Sequence, residues 1–289
     1  MHGWRASLHL GFAPGRGRTD LVRREHQGPL MVQRPFYPEL GVGASSGSQR
    51  AHVPAHVYIL HPPGGVVGGD ALEMDVALAT GSHALLTTPA SAKLYRSGGA
   101  TATLETRLAV DPGAVLEWLP QPSIVFDGAR ARARTRIRLQ SGARLLGWEG
   151  WALGRPACEE RFSNGMLSTD LELWVDERPL LIERQRINGD DAVLNAMLGL
   201  SGRAMFATLL ATPAEQDTLE RGRDVVRTLL AEQRPAGLQM GVSLIGELLV
   251  ARVVASSLQG MQRALVELWT ALRPLLLGRP ACAPRIWAT

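Results

Sequence analysis

The amino-acid sequence predicts a mostly β protein with a few helices, two of them in the C-terminal third. Short runs of alternating apolar and polar residues recur from Trp4 to about Ile187, turn residues separate these runs, and helical periodicity appears after Pro213. Alternation with a period of two places one set of side chains on the core face of a strand. Many short strands at this spacing are typical of a layered or coiled antiparallel β structure.

The predicted strands follow one another along the first two thirds of the chain. The clearest alternating runs are residues 4–10, 101–110, 131–139, 147–153 and 171–175. The turn signals between them are Asp111-Pro112-Gly113, Asp127-Gly128, Ser141-Gly142, Asn164-Gly165 and Asn188-Gly189. Helices of a dozen residues do not alternate with these runs, which argues against a doubly wound parallel fold. The sequence shows no internal repeat.

The C-terminal part has a different pattern. It predicts a helix over residues 214–233, strands over 238–245 and 248–254, and a second helix from about 256 to 272 that Pro274 ends. Acidic Glu215 and Asp217 lie in the first turn of the first helix, where they complement its dipole. A Gly- and Ser-rich stretch at residues 41–49 predicts a surface loop. We expect one domain over residues 1–289, with a strand-rich core over 1–212 and a helix–strand–strand–helix part over 213–289.

Composition points to a folded protein of a reducing compartment. The chain has 289 residues, of which 45% are hydrophobic and 20% charged, and its net charge is +4. Lysine occurs only at Lys93, and arginine in its place is typical of a GC-rich genome. Two cysteines far apart, Cys158 and Cys282, do not form a disulfide framework. The first residues lack the apolar region of a secretory signal, and no apolar run is long enough to cross a bilayer. We therefore expect a cytoplasmic protein.

The most unusual segment is rich in glycine. It runs from His61 to Asp70 and contains two glycine pairs, Gly64-Gly65 and Gly68-Gly69. Exposed backbone amides of such pairs can bind phosphate. However, a Walker loop needs Lys and Ser or Thr after its last glycine, whereas Asp70 follows here and would repel phosphate. Glycine pairs between strands more often serve tight turns and close backbone approach.

Two other segments allow an enzyme or a nucleic-acid-binding interpretation. Ser91 and Lys93 face the same side of a predicted strand, as a nucleophile and its base would, but no third partner is evident. Arginine also occupies every second position of another strand, at Arg130, Arg132, Arg134, Arg136 and Arg138. This row could follow a phosphate backbone. Without interleaved aromatic residues, a solvated outer face or a docking surface for an acidic protein is the better interpretation.

Metal ligation depends on carboxylates in this sequence. The histidines are scattered and form no His-x-x-x-His group, which argues against a closed zinc site. Several carboxylates lie in strand-rich sequence, and Glu149 is notable because Trp148 and Trp151 flank it. A buried carboxylate costs free energy unless it is paired or meets a cation. The alternative is that a hydrogen bond satisfies Glu149.

Several blocks of sequence stand out together, at residues 60–70, 87–97, 117–129, 154–157 and 161–162. In their order and spacing these blocks resemble the UreD (also UreH) family of urease accessory proteins. The resemblance is close over about residues 5–215 and looser beyond them. Positions within these blocks that match the family motif are His61, Gly64, Gly65, Gly68, Gly69, Thr88, Lys93, Gln121, Asp127 and Arg155.

The resemblance implies a fold and a role. Proteins of this family adopt an irregular, β-helix-like stack of strands with a few helices, and they are not enzymes. They bind the helical accessory protein UreF, which recruits the GTPase UreG, and the assembly docks on apo-urease. Nickel passes through an internal channel lined by acidic side chains. The matching positions in this chain are Asp70, Glu149 and Glu183.

The resemblance also sets expectations for cofactors and partners. We expect Ni²⁺ in transit, no tightly bound cofactor, and neither a membrane nor a nucleic acid as partner. Isolated carboxylates suit transient binding, because they hold a metal less firmly than thiolate or imidazole cages. No partner-contact residues are carried over, since the match is loose after Pro213. The alternative function is a nucleic-acid-binding β domain that uses the arginine row of residues 130–138.

Overall fold

The computed structural model describes residues 3–40, 53–232 and 237–288, so the predicted loop at 41–49 lies outside the described residues. The first nine strands are β1 (Arg5–Pro14), β2 (Thr19–Gln27), β3 (Met31–Val32), β4 (Ala55–Leu60), β5 (Gly65–Val66), β6 (Ala71–Leu78), β7 (His83–Thr87), β8 (Lys93–Leu94) and β9 (Ala102–Val110). The other strands are β10 (Val115–Leu119), β11 (Ser123–Val125), β12 (Arg130–Leu139), β13 (Arg144–Leu153), β14 (Met166–Val175), β15 (Arg178–Asn188), β16 (Met205–Thr212), β17 (Gln239–Ile245) and β18 (Leu248–Ala255). The helices are α1 (Ala192–Asn195), α2 (Gln216–Ala231) and α3 (Leu258–Leu277), with 3₁₀ turns at Pro156–Cys158 and Arg285–Ala288.

The strands form two facing sheets. Sheet 1 has the order β15-β14-β12-β9-β6-β1-β2, and sheet 2 has the order β17-β18-β16-β13-β10-β7-β4-β3. In sheet 1, β1, β6, β9, β12 and β14 are parallel neighbours. In sheet 2, β4, β7, β10 and β13 are parallel neighbours. The antiparallel strands lie at the two ends of the stack. The prediction of a mostly β, helix-like stack with two helices in the C-terminal third is confirmed.

The expectation of an antiparallel structure from turn spacing is wrong for the central strands. The chain passes from β6 in sheet 1 to β7 in sheet 2, through the short β8, and back to β9 in sheet 1. The next coil repeats this path through β10, β11 and β12. The turn at Asp111-Pro112-Gly113 therefore joins strands of two different sheets, where a hairpin would join neighbours in one sheet. Strands one coil apart then run in the same direction, as in a solenoid.

Apolar side chains fill the space between the sheets in two separate clusters. The first interior cluster includes Leu8, Val76, Leu116, Ile137, Leu145 and Leu210. The second interior cluster includes Val125, Ala131, Ala133, Trp151, Phe162 and Phe206. A third cluster lies on the other face of sheet 2, where α2 and α3 cover it with residues such as Leu229, Leu265, Leu268 and Trp269. Sheet 2 is therefore buried on both faces.

The second C-terminal helix is longer than the sequence predicts. Pro274 lies inside α3, and the helix ends at Gly278, whose φ of 64° is the left-handed conformation that glycine tolerates. A proline removes one backbone hydrogen bond to the residue four positions earlier, which is Thr270 here. Thr270 is exposed, so water can bond its carbonyl. The proline therefore does not stop the helix.

A group of buried charged side chains fastens α3 to sheet 2. We call Glu39, His56, His83, Glu117 and Arg273 the buried ion cluster, since all five are buried. Arg273 Nε lies 2.9 Å from Glu117 Oε2, and its Nη2 lies 2.6 Å from Glu39 Oε1. His83 Nε2 lies 2.8 Å from Glu117 Oε1, and His56 Nε2 lies 3.0 Å from Glu39 Oε1. Burial alone would raise the pKa of Glu117, but Arg273 and His83 together lower it well below its usual value.

Candidate functional site

A band of polar side chains separates the two interior apolar clusters. On β12, inward-facing Thr135 lies between Ala133 of one cluster and Ile137 of the other. On β16, Thr208 likewise lies between Phe206 and Leu210. We call this band the polar seam. Its members are Thr106, Thr135, Glu149, Glu183, Gln185, Thr208 and Arg252.

Strand register aligns five of these side chains across neighbouring strands. Glu149 pairs with Thr208 between β13 and β16, and Thr208 pairs with Arg252 between β16 and β18. Thr106 pairs with Thr135 on the facing sheet. The seam therefore runs across the strands, parallel to the axis along which the coils stack.

Hydrogen bonds connect the seam across the two sheets. The Thr135 hydroxyl of sheet 1 donates to Glu149 Oε1 of sheet 2. At the far end, Glu183 Oε1 accepts from Gln185 Nε2 at 2.6 Å and from Thr208 Oγ1 at 3.4 Å. Arg252 Nη2 lies 2.8 Å from Glu183 Oε2. Both carboxylates of the seam are thus held by neutral donors, and among the described residues a cation lies beside Glu183 but not beside Glu149.

Two adjoining cavities open onto the seam. A cavity of about 100 Å³ borders Glu149 and Thr135. A cavity of about 200 Å³ borders His61 and Thr88. The residues common to both linings are Leu104, Thr106, Trp118, Pro120, Gln121 and Ser123. The Trp118 indole group lies close enough to Glu149 to lower its pKa, whereas His61 Nε2 is a buried atom without a hydrogen-bond partner in the described ranges. The larger cavity therefore presents an unused imidazole nitrogen to whatever enters it.

The protonation of Glu149 is the most unusual electrostatic feature of the seam. Glu149 keeps some accessible surface along its cavity, but protein atoms surround its carboxyl group. Burial raises the pKa of Glu149 to about 7, the bond from Thr135 opposes this shift, and the negative charge of Glu183 adds to it. Glu149 can therefore gain or lose a proton near neutral pH.

The structure brings together some of the predicted site residues. Glu149 and Glu183 lie in the seam, and His61, Thr88 and Gln121 line the larger cavity. The Thr88 hydroxyl accepts a 2.9 Å bond from the Gln121 backbone amide. Burial lowers the pKa of His61 despite the nearby Asp70 carboxylate, which keeps its imidazole neutral and able to bind a metal.

Other predicted site residues lie outside the seam. Asp70 is buried, and its two carboxylate oxygens accept from the backbone amides of Trp4 at 3.2 Å and Val67 at 2.9 Å. Asp127 likewise accepts from the amides of Ser163 and Asn164. These two carboxylates hold turns between strands.

Arg155 and Lys93 are two further predicted positions outside the seam. Arg155 pairs with Glu160 at 2.6 Å and stacks on the Phe126 ring. Lys93 is exposed. Among the contacts of the described chain, Ser91 and Lys93 share no hydrogen bond, so the geometry does not support a nucleophile pair.

The glycine-rich segment is a turn of the stack, in agreement with the structural interpretation. Gly64 and Gly69 have φ values of 73° and 95°, which other residues rarely adopt. A Cβ at Gly65 would lie 2.1 Å from the Tyr95 ring. At Gly68 it would lie 2.2 Å from Ser97 Oγ and 2.5 Å from the Ala100 carbonyl oxygen. Both pairs therefore permit close contact with the next coil.

Gly68→Ala is expected to lower the free energy of unfolding by about 1–3 kcal/mol, because the added methyl group overlaps backbone that cannot move freely. Urea unfolding followed by tryptophan fluorescence measures this change. Gly98→Ala is the matched control, since a Cβ there has open space and the position lies in the loop that Gly68 contacts. Equal stability of the two variants would show that the close approach at Gly68 is unimportant.

The arginine row lies on the outer face of sheet 1, as predicted, with its intervening residues buried. Arg132 and Arg134 both lie 3.3 Å from Asp170 Oδ2, and Arg136 Nε lies 2.9 Å from Glu172 Oε2. Acidic residues of the neighbouring strand thus neutralise the middle of the row. This pairing counts against a continuous phosphate-binding surface.

The described residues offer no group of three or more His, Cys, Asp and Glu side chains placed to hold a metal ion. Both cysteines are free thiols. Nor does any helix in the described ranges combine the length and the apolarity needed to span a membrane. A cation at the seam would therefore meet one carboxylate at a time, together with hydroxyl, amide or water oxygens.

The sequence patterns did not identify the hydroxyl members of the seam, Gln185 or Arg252. Their signal is a polar residue at a position where strand alternation demands an apolar one, as in Ala133-x-Thr135-x-Ile137. A single threonine of this kind is common in strands. Only the pairing of neighbouring coils shows that three such threonines lie beside two carboxylates.

Comparison with known proteins gives a consistent result. Residues 4–288 match the sequence model of the UreD urease accessory protein family. The chain is 49% identical over 288 residues to the urease accessory protein UreD of Pseudomonas putida, covering 99% of this chain and 95% of that protein. It is 44% identical to the UreD of Alkalilimnicola ehrlichii and 42% identical to that of Klebsiella pneumoniae, again over 99% of this chain and over 92% and 96% of those proteins. The chain therefore belongs to the UreD family of urease accessory proteins.

Proposed function

We propose that this chain is a non-catalytic, cytoplasmic subunit that gives nickel a route into apo-urease. Membership of the family supports a role in urease maturation. In the proposed role, the chain docks on apo-urease together with UreF and UreG, and Ni²⁺ moves along the polar seam and its cavities toward the urease active site. Nickel is cargo in this scheme, and the chain holds no cofactor tightly.

The observation that supports this proposal is the polar seam itself. An interior lined by Thr, Gln and Glu costs more free energy than an apolar one unless hydrogen bonds or a bound cation satisfy its polar groups. The seam continues between two apolar clusters and adjoins cavities on the side of His61. Oxygen donors and one imidazole hold a divalent cation weakly enough for it to leave again.

Glu149 suits a transit position because its proton can leave near neutral pH. With a pKa of about 7, the empty carboxyl group is partly protonated, which avoids a permanent buried charge. An arriving cation favours the ionised form and releases the proton. When the cation moves on, reprotonation restores the neutral state. Glu183 lies next along the seam and can receive the cation.

The double substitution Glu149→Gln with Glu183→Gln tests the route. In cells that carry the urease genes, we expect the nickel content of purified urease to fall about tenfold, because removing groups that hold or orient a metal commonly has effects of this size. Nickel is measured by mass spectrometry per urease active site, alongside urease activity. Co-purification of the variant with its partners shows that docking is intact.

The matched control removes two carboxylates from the outer face of the same stack. Glu25 on β2 and Glu73 on β6 lie on the outer face of sheet 1, and neither lines the two cavities. Glu25→Gln with Glu73→Gln should leave urease fully loaded. Full loading by the Glu149/Glu183 double variant as well would exclude a carboxylate-lined route.

A further inference from the structure

Arg252 closes the end of the polar seam that lies between β15 and β18. Its Nη2 lies 2.8 Å from Glu183 Oε2, and its Nη1 lies 3.4 Å from Thr208 Oγ1. The Arg252 side chain is 54% exposed, whereas the Glu183 side chain is 13% exposed. The guanidinium group therefore lies between the solvent and a mostly buried carboxylate.

Arg252 also belongs to a row of three seam side chains that leads into the protein. Glu149, Thr208 and Arg252 pair in register across three adjacent strands, so their side chains lie on the same face of sheet 2. Glu183 approaches this row from sheet 1 and contacts Thr208. The seam thus contains two carboxylates and one positive side chain, and that positive side chain lies at its solvent-facing end.

We infer that the Arg252 guanidinium is an exchangeable internal cation that occupies the place beside Glu183 which a divalent metal ion would take. This inference rests on the proposed function and deepens it. A metal ion at Glu183 and a guanidinium at the same carboxylate repel each other, so one displaces the other. Arg252 can move outward because its side chain is 54% exposed, so water can hydrate the guanidinium group while the metal ion takes its place beside Glu183.

Such an exchange has two effects on transport. Arg252 prevents Glu183 from remaining an unpaired, partly buried carboxylate when no metal is present. It also competes with the metal, so the end of the seam releases cations and does not store them. Arg252 is a positioning residue in this scheme, since it acts through Glu183.

Arg252→Met tests the competition, because methionine keeps an unbranched stem and removes the charge. Ni²⁺ binding to the purified full-length chain is measured by equilibrium dialysis at pH 8, where Glu149 is mostly ionised given its pKa of about 7. We expect Ni²⁺ to bind about fivefold more tightly to the variant, the factor that corresponds to about 1 kcal/mol. Unfolding curves confirm that the variant is folded.

Arg184→Met is the matched control. Arg184 is an exposed arginine on β15, next in sequence to Glu183, but it faces the outer side of sheet 1. Its removal lowers the net charge equally and should leave Ni²⁺ affinity unchanged. An equal gain in both variants would attribute the effect to overall charge and overturn the inference. Unchanged affinity in Arg252→Met, or Ni²⁺ binding detectable in neither chain, would also overturn it.

The test of Arg252 and the test of the proposed function can fail independently of each other. If the Glu149/Glu183 double variant still loads urease fully in cells, the route itself is wrong. If that variant fails to load urease while Arg252→Met binds Ni²⁺ no more tightly than the unchanged chain, the route stands and Arg252 does not compete for it.

Discussion

Arg273→Met is expected to lower the free energy of unfolding by about 3–5 kcal/mol, because it leaves the buried carboxylates of Glu39 and Glu117 without their shared cation. Arg273 is fully buried, so water cannot replace it. A loss of this size is a large part of the total stability of a typical domain. Urea unfolding of the purified chain measures it.

Arg263→Met on the same helix is the control for this prediction. Arg263 pairs with Glu232 at 2.8 Å and with Glu267 at 2.7 Å, but all three side chains are more than a third exposed. Its loss should cost less than about 1 kcal/mol. If Arg273→Met proves insoluble, adding Glu117→Gln should recover soluble protein, because it removes the carboxylate charge that Arg273 neutralised, while Arg279 Nη1 still lies 3.7 Å from Glu39 Oε2. Similar costs for Arg263→Met and Arg273→Met would contradict the role of the buried ion cluster.

Glu149→Gln is expected to change how stability depends on pH. The pKa of Glu149 is raised from 4.5 to about 7 in the folded protein, so between these values the folded state binds a proton that the unfolded state has lost. The stability that this proton contributes is complete below pH 4.5 and disappears as pH rises through about 7. The unchanged chain should therefore lose about 3 kcal/mol relative to Glu149→Gln between pH 4.5 and pH 8.

Unfolding free energies at closely spaced pH values test this linkage, and Glu172→Gln provides the control. Arg136 lowers the pKa of Glu172, so its contribution to stability is present above its unfolded pKa and is lost only at lower pH. Between pH 5 and pH 8 the difference between Glu172→Gln and the unchanged chain should stay constant. A constant difference for Glu149→Gln as well would mean that Glu149 titrates as an ordinary carboxyl group.

Local sequence patterns predicted most of the secondary structure. The run at residues 131–139 became β12 (Arg130–Leu139), and the run at 248–254 became β18 (Leu248–Ala255). The direction of the central strands was not predictable in this way. The same turn residues can join neighbours in one sheet or strands of two facing sheets, and only pairing between distant segments decides between these arrangements.

The candidate site, like the fold, was predictable from the sequence only in part. Glu149 was identifiable because a carboxylate between tryptophans is costly to bury. Its neighbour Thr208 was not, since 59 residues separate the two positions that β13 and β16 bring together. The missing Walker residues favoured a structural interpretation of the glycine-rich segment, and its Asp70 accepts hydrogen bonds from the backbone amides of Val67 in the same turn and of Trp4 before β1.

The buried ion cluster had a local signal that is easy to overlook. Glu117 lies in an apolar strand between Leu116 and Trp118, as Glu149 does between tryptophan-rich neighbours. Arg273 lies on the face of α3 that also carries Trp269. A charged residue is unusual at each of these positions. Which residue it pairs with, however, depends on how α3 packs on sheet 2.

The position of Arg273 near the end of the chain bears on the order of assembly during synthesis. Each coil pairs with the coil before it, so the stack can grow in the order in which segments leave the ribosome. The buried ion cluster cannot form in this order, because Arg273 is 234 residues away from Glu39. Until α3 emerges, a nascent chain exposes the part of the outer face of sheet 2 that α3 covers, and the Glu39 and Glu117 carboxylates lack Arg273. A chain terminated before α3 therefore keeps that part uncovered and lacks the guanidinium group that contacts both carboxylates.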